Sequence, residues 1–140
     1  MTYDLFCFSG EYDTLEIRFN ILSPFVDKFI MVEGFETFSG NPKPAYWLER
    51  GDRFDEWEDK VVYHLIADNS DEEILNQLTE RNYVDEPAFQ RAFYQKEMLR
   101  KILKGLNPDD DDLVYYGDVD EIWKLQKIDD KVYKLRQLAY

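Results

Sequence analysis

The apolar positions of this chain fall into short blocks separated by breakers. Tyr3-Asp4-Leu5-Phe6-Cys7-Phe8 is a nearly continuous apolar run ended by Ser9-Gly10, which predicts a strand. Tyr12, Leu15, Phe19 and Leu22 then recur on a helical period, and Asp13 with Glu16 has the spacing of a capping box. Ser23-Pro24 ends that helix. Lys28-Phe29-Ile30-Met31-Val32 is a buried-strand pattern that runs into Glu33-Gly34. Thr37 to Pro44 is loop chemistry, and the charged stretch from Asp52 to Lys60 carries Phe54 and Trp57 as anchors.

Val61-Val62-Tyr63-His64-Leu65-Ile66 predicts a third strand, and Ser70 with Glu73 a second capping box. Pro87 sits in the first turn of a longer helix whose apolar stripe is Phe89, Ala92, Phe93, Leu99, Ile102, Leu103 and Leu106. Leu113-Val114-Tyr115-Tyr116 predicts a fourth strand, followed by Gly117-Asp118-Val119-Asp120-Glu121-Ile122. Residues Lys131 to Tyr140 fit helix or strand equally well. The order β-α-β-loop-β-α-α-β argues for an α/β fold, a mainly parallel sheet flanked by helices. Ligands of such sheets bind at the carboxyl ends of the strands. Those ends are Ser9-Gly10, Glu33-Gly34, Ala67-Asp68 and Gly117-Asp118.

Composition narrows the function. The 140 residues make one domain's worth of chain, and 44% hydrophobic with 16% aromatic content excludes wholesale disorder. Seventeen basic against 30 acidic residues give a net charge of −13, which repels nucleic acid and anionic membranes. A small anionic ligand stays open if a metal or a local basic group neutralises it. No apolar stretch reaches the roughly 20 residues of a membrane span, and the N-terminus lacks the basic region of a secretory signal. A cytoplasmic location is the expectation. Cys7 is the one cysteine, so no internal disulfide forms, and its apolar setting predicts a packed small hydrophobe.

The sharpest chemical feature is Asp118-Val119-Asp120 after an apolar strand. In extended chain, residues two apart face the same side, so both carboxylates project from the sheet's carboxyl edge. Two hard oxygen ligands suit Mg²⁺ or Mn²⁺, which can bridge to a diphosphate. By the same alternation Glu121 faces away from the pair. Asp109 to Asp112 reads as a solvated acidic loop, and His64 as a packed or edge-exposed strand residue. Arg91, near the start of the long helix, and Lys43, between two prolines, are candidate anion contacts. The chain has no zinc-type His/Cys cluster, Walker loop or dinucleotide-binding fingerprint.

An ordered set of residues carries a family resemblance. Asp4-Leu5-Phe6, Glu11, Asp13, Leu15-Glu16-Ile17-Arg18, Val26-Asp27-Lys28-Phe29, Val32-Glu33, Thr37-Phe38-Ser39-Gly40 and Pro42-Lys43-Pro44 form its first part. Arg53-Phe54, Asp59-Lys60, Gln90-Arg91 and Asp118-Val119-Asp120-Glu121-Ile122 follow in order. Together they resemble glycosyltransferase family 17, whose animal members add a bisecting N-acetylglucosamine to N-glycans. The resemblance implies a GT-A-like, Rossmann-like fold that binds a nucleotide-sugar donor, with UDP-N-acetylglucosamine as the donor by analogy. It implies a Mn²⁺ or Mg²⁺ ion held by Asp118 and Asp120. It further implies that the loops around Ser9 to Glu11 and Glu33 to Gly40 wall the nucleotide pocket, with Ser9, Glu11, Glu33, Arg91 and Asp118 among the donor contacts.

Two departures accompany it. The chain is about half the family domain's length, so residues 1–140 are expected to be one nucleotide-sugar-binding domain lacking the C-terminal acceptor half. Trp123 stands where the family pattern leads one to expect proline. The acceptor is a glycan or another hydroxyl compound, and the resemblance leaves the general base unassigned. Two other classes compete. One is a non-catalytic sugar-nucleotide-binding or assembly module, in which an open sheet edge pairs with another chain, giving a homo-oligomer. The other is a D-x-D Mg-dependent phosphatase, whose motif would normally open the chain.

Overall fold

The computed structural model of the protein describes residues 1–37, 39–80, 87–127 and 133–139, without the side chains of 79, 80, 88, 89, 124–127 and 133–139. Phe38 and the side chain of Phe89 therefore lie outside it. Four strands, β1 (Thr2–Cys7), β2 (Lys28–Gly34), β3 (Val61–Ile66) and β4 (Leu113–Tyr116), form one sheet in the order β3-β2-β1-β4. Every pairing in it is parallel; Leu5 lies opposite Ile30 on one side and Tyr116 on the other.

Both faces of the central strands β1 and β2 are covered, which is why they read as apolar runs rather than alternations, whereas the edge strand β4 leaves Leu113, Val114 and Tyr116 exposed. On one face Phe6 of β1, Phe8 just beyond its end, and Phe29 and Met31 of β2 meet α1 (Tyr12–Leu22) through Leu15, Phe19 and Leu22. Trp47, Phe54 and Trp57 complete this layer, the last on a 3₁₀ helix over Asp55–Lys60. On the other face Leu5, Ile30 and Val32 pack against α2 (Glu72–Glu80) and α3 (Pro87–Gly105) through Ile74, Leu78, Tyr94 and Leu99. A separate antiparallel ribbon follows: β5 (Glu121–Lys127) pairs with β6 (Tyr133–Ala139). The strand choice for the chain end is thus settled over 133–139; residues 131, 132 and 140 lie outside the described part.

The helix starts differ from the capping-box expectation. No side chain caps α1: the helix starts at Tyr12 with Glu11 at its N-cap, so Asp13 already lies within the first turn, where it and Glu16 pair with Arg53. At α2 the cap is Asp71 rather than Ser70: its carboxylate accepts the amide of Ile74 at 3.2 Å. A carboxylate one residue nearer the helix outcompetes the hydroxyl, and Ser70 bonds Asp68 instead. Among the described residues, no helix is long and apolar enough to cross a membrane.

Candidate active site

The sheet order puts a topological switch at β1. The chain leaves β1 toward β2 on one side and returns from β3 to β4 on the other, so a crevice opens above the carboxyl ends of β1 and β4. A cleft of about 640 Å³ lies there. Cys7, Phe8, Ser9 and Glu11 line it from the end of β1, and Gln95 from α3. Glu36, Thr37 and Ser39 bound it on the β2 side, and Asp118, Val119 and Asp120 on the β4 side.

The turn after β4 carries the closest group of carboxylates on this cleft among the described residues. Asp118 and Asp120 are exposed and Val119 between them is buried, the alternation expected of the segment. Glu121 does not continue it. Its amide donates to the Asp118 carbonyl at 2.9 Å, closing a reverse turn that carries the Glu121 side chain back toward Asp118. The amide of Asp118 in turn donates to Glu121 Oε1 at 3.3 Å. The expectation that Glu121 faces away is corrected by this turn. One carboxylate oxygen from each of Asp118, Asp120 and Glu121 falls within 4.8 Å of the others. The hydrogen bond shared with Asp118 raises the Glu121 carboxyl above its ordinary value, with burial and the charges of Asp118 and Asp120 adding to it. Three hard oxygen donors this close form a donor set suited to Mg²⁺ or Mn²⁺.

A buried ion pair lies under the turn. Arg18 of α1 and Asp4 of β1 are both fully buried and joined twice: Arg18 Nε donates to Asp4 Oδ2 at 2.8 Å and Nη2 to Oδ1 at 2.7 Å. The third guanidinium nitrogen, Nη1, donates to the carbonyls of Asp118, Val119 and Glu121 at 2.9, 3.3 and 2.6 Å. Trp123 stacks on Tyr115 and donates its indole N–H to Asp4 Oδ1 at 3.1 Å. The residue standing where proline was expected is therefore tied into the same network.

Other sequence candidates occupy different places. Ser9 and Glu11 are on the cleft wall; burial pushes the Glu11 carboxyl up, and Asp120 and Glu33 push the same way. Glu33 is fully buried away from that wall. Its Oε2 accepts from Lys43 Nζ at 2.7 Å and the Tyr46 amide at 2.8 Å, and its Oε1 from the Tyr63 hydroxyl at 2.8 Å and the Trp47 amide at 3.1 Å. Glu33 thus pins the 43–47 segment to the sheet and takes Lys43 with it. Arg91 borders a neighbouring cleft of about 220 Å³, and its Nε donates to Glu36 Oε1 at 3.0 Å. Gly40, at φ +90°, lets the loop pass the Arg91 guanidinium, which lies 2.7 Å from where a Cβ would stand. Arg91 thus sits against Glu36 and Gly40 on the wall of that neighbouring cleft.

Cys7 lies at the cleft floor with its thiol pushed up to about 12, by burial first and then by the Asp118 charge, so it is protonated and a poor nucleophile. His64 is exposed on β3, and Asp109 to Asp111 are solvated. Asp112 instead binds the N-terminal ammonium at 2.7 Å.

A family model described as Glycosyltransferase family 17 matches residues 1–132. No curated protein and no solved structure matches the chain at a significant level.

Proposed function

The chain belongs to glycosyltransferase family 17, and from that premise we propose that it transfers a sugar, N-acetylglucosamine, from a nucleoside-diphosphate donor to a hydroxyl of a glycan or similar acceptor, with a divalent cation bound at the acidic turn. One observation carries the reading: the carboxylates of Asp118, Asp120 and Glu121 converge at the mouth of the switch-point cleft. In a chain of net charge −13 such a site repels a diphosphate unless a cation intervenes.

Asp118 and Asp120, with Glu121 beside them, are the residues that would hold Mn²⁺ or Mg²⁺. When bound, the ion neutralises charge on the diphosphate leaving group. In the transfer the acceptor oxygen bonds to the anomeric carbon as the bond from that carbon to the phosphate oxygen breaks. The nucleoside diphosphate leaves with the electron pair, and the acceptor proton passes to a base. Ser9, Glu11, Thr37 and Ser39 line the remainder of the cleft with hydroxyls and a carboxylate, groups able to hydrogen-bond a ribose or sugar.

The test is a thermal-shift titration with UDP, with and without Mn²⁺, beside Asp120→Asn. A ligand bound only by the folded state stabilises it by about 2.7 kcal/mol at a hundredfold excess over its dissociation constant. The shift is expected to require Mn²⁺ and to vanish in the variant. A Mn²⁺-independent shift, or one that Asp120→Asn keeps, contradicts the reading.

A further inference from the structure

We infer that Arg18 is the positioning residue of the acidic turn: its guanidinium sets the backbone of residues 118–121 so that their carboxylates converge. This rests on the cation reading given above and names the part of the molecule that makes such a site possible.

Three like-charged groups within 4.8 Å spread apart unless the backbone holds them. Within the turn the Glu121 amide donates to the Asp118 carbonyl and the Asp118 and Glu121 carboxyls share a hydrogen bond, while Asp118 and Asp120 stand exposed. The restraint that ties the turn to the rest of the fold comes from below. Arg18 Nη1 engages three of the four carbonyls in the stretch 118–121. Carboxylates and carbonyl oxygens are thus sorted to opposite sides of the turn, the former toward the cleft and the latter onto the guanidinium. Val119 adds an apolar pin on that lower side, within the cluster that holds Phe6 and Trp123.

Arg18 is itself immobilised. Its other two nitrogens are taken by Asp4, in the middle of β1, a strand paired on both edges. The turn's position is thereby referred to the centre of the sheet through one rigid, planar side chain. Asp4 balances the charge of Arg18, so the pair offers the acids direction rather than net positive charge. A lysine retains the charge but has no planar fork to span a carboxylate and three carbonyls at once.

The experiment uses Arg18→Lys, with Trp123→Phe as a milder variant that keeps a ring against Tyr115 and drops only the N–H to Asp4. Mn²⁺ affinity is measured by titration well below each protein's melting midpoint, together with hydrogen exchange of the Glu121 amide in metal-free protein. Arg18→Lys is expected to weaken Mn²⁺ binding about ten- to a hundredfold, the range for outer partners of metal ligands. Trp123→Phe is expected to weaken it less. In wild type the Glu121 amide is expected to exchange as slowly as those of β4, and in Arg18→Lys faster than the β4 amides of the same variant. A role confined to stability lowers the melting midpoint but leaves Mn²⁺ affinity of the folded protein unchanged; that result overturns the inference. If Arg18→Lys does not fold, Trp123→Phe and the wild-type exchange decide, and unchanged affinity in Trp123→Phe with a freely exchanging Glu121 amide overturns it. If wild type takes up no Mn²⁺, the cation reading falls, and Glu121 exchange in wild type against Arg18→Lys still decides whether Arg18 sets the turn.

Discussion

Carboxylates occur in two contrasting settings on this sheet. Asp4 and Glu33 are fully buried, and each of their oxygens accepts from a named donor. Asp118, Asp120 and Glu121 lie at the cleft mouth, crowded so that one carboxylate oxygen from each falls within 4.8 Å of the others. The first setting is architecture: a buried charge survives only when paired and hydrogen-bonded. The second is a crowded, largely exposed arrangement, the one to which the proposed cation is assigned. The difference shows that burial and partnering, rather than residue type, separate the acids that build the fold from those available for chemistry.

The sharpest way to break the comparison is to orphan a buried partner. Asp4→Leu leaves Arg18 charged and unpaired and is expected to lower unfolding free energy by about 3–5 kcal/mol, read by urea denaturation. Adding Arg18→Met should restore part of that, because removing both charges is milder than orphaning one, while the carbonyls of Asp118, Val119 and Glu121 and the Trp123 N–H lose their partners. Glu33→Gln comes next. Both Glu33 oxygens face donors only, so an amide in either orientation turns its NH₂ toward two of them. A loss of about 1–3 kcal/mol is expected in the same measurement.

Alkaline pH gives a smaller, graded effect. The Cys7 thiol is raised in the folded protein to about 12, so folded chains hold the proton over a range where unfolded chains release it. Its contribution is therefore fully present below the unfolded value near 9 and is lost as pH rises toward 12. Tyr63 is raised too, by burial first and then by its bond to Glu33, and acts in the same direction. Wild type should lose up to about 1.4 kcal/mol per pH unit above pH 9 relative to Cys7→Ser, seen in denaturation midpoints across pH. An equal slope in the two proteins would show that the thiol is not held protonated by the fold. The smallest effect belongs to the exposed acids. Asp120→Asn relieves repulsion and should raise metal-free stability by less than about 1 kcal/mol while abolishing stabilisation by Mn²⁺.

Much of this arrangement was legible in the chain itself. Apolar runs bounded by Gly, Pro and acids gave the four parallel strands and their carboxyl ends, and alternation put Asp118 and Asp120 on one side with Val119 beneath. Alternation failed one residue later, because a reverse turn rather than a strand follows Asp118 and returns Glu121 to the pair. The support beneath the turn was less visible, since charge ordinarily reads as surface. A signal existed. Arg18 falls among Leu15, Phe19 and Leu22 on the apolar face of α1, and Asp4 sits within a strand covered on both faces. Two opposite charges assigned to one interior must meet there. Glu33 was legible as a strand-end acid, but its donors, Lys43, the amides of Tyr46 and Trp47 and the Tyr63 hydroxyl, come from segments whose return to β2 no local pattern announces.

The most direct test of the account is a crystal grown with UDP and Mn²⁺, with anomalous scattering used to locate the ion. The account predicts a single strong manganese peak in contact with the Asp118 and Asp120 carboxylates, adjoining the diphosphate in the cleft above β1 and β4. A manganese peak away from that turn, or a nucleotide bound in the cleft with no metal at Asp118 and Asp120, would contradict it.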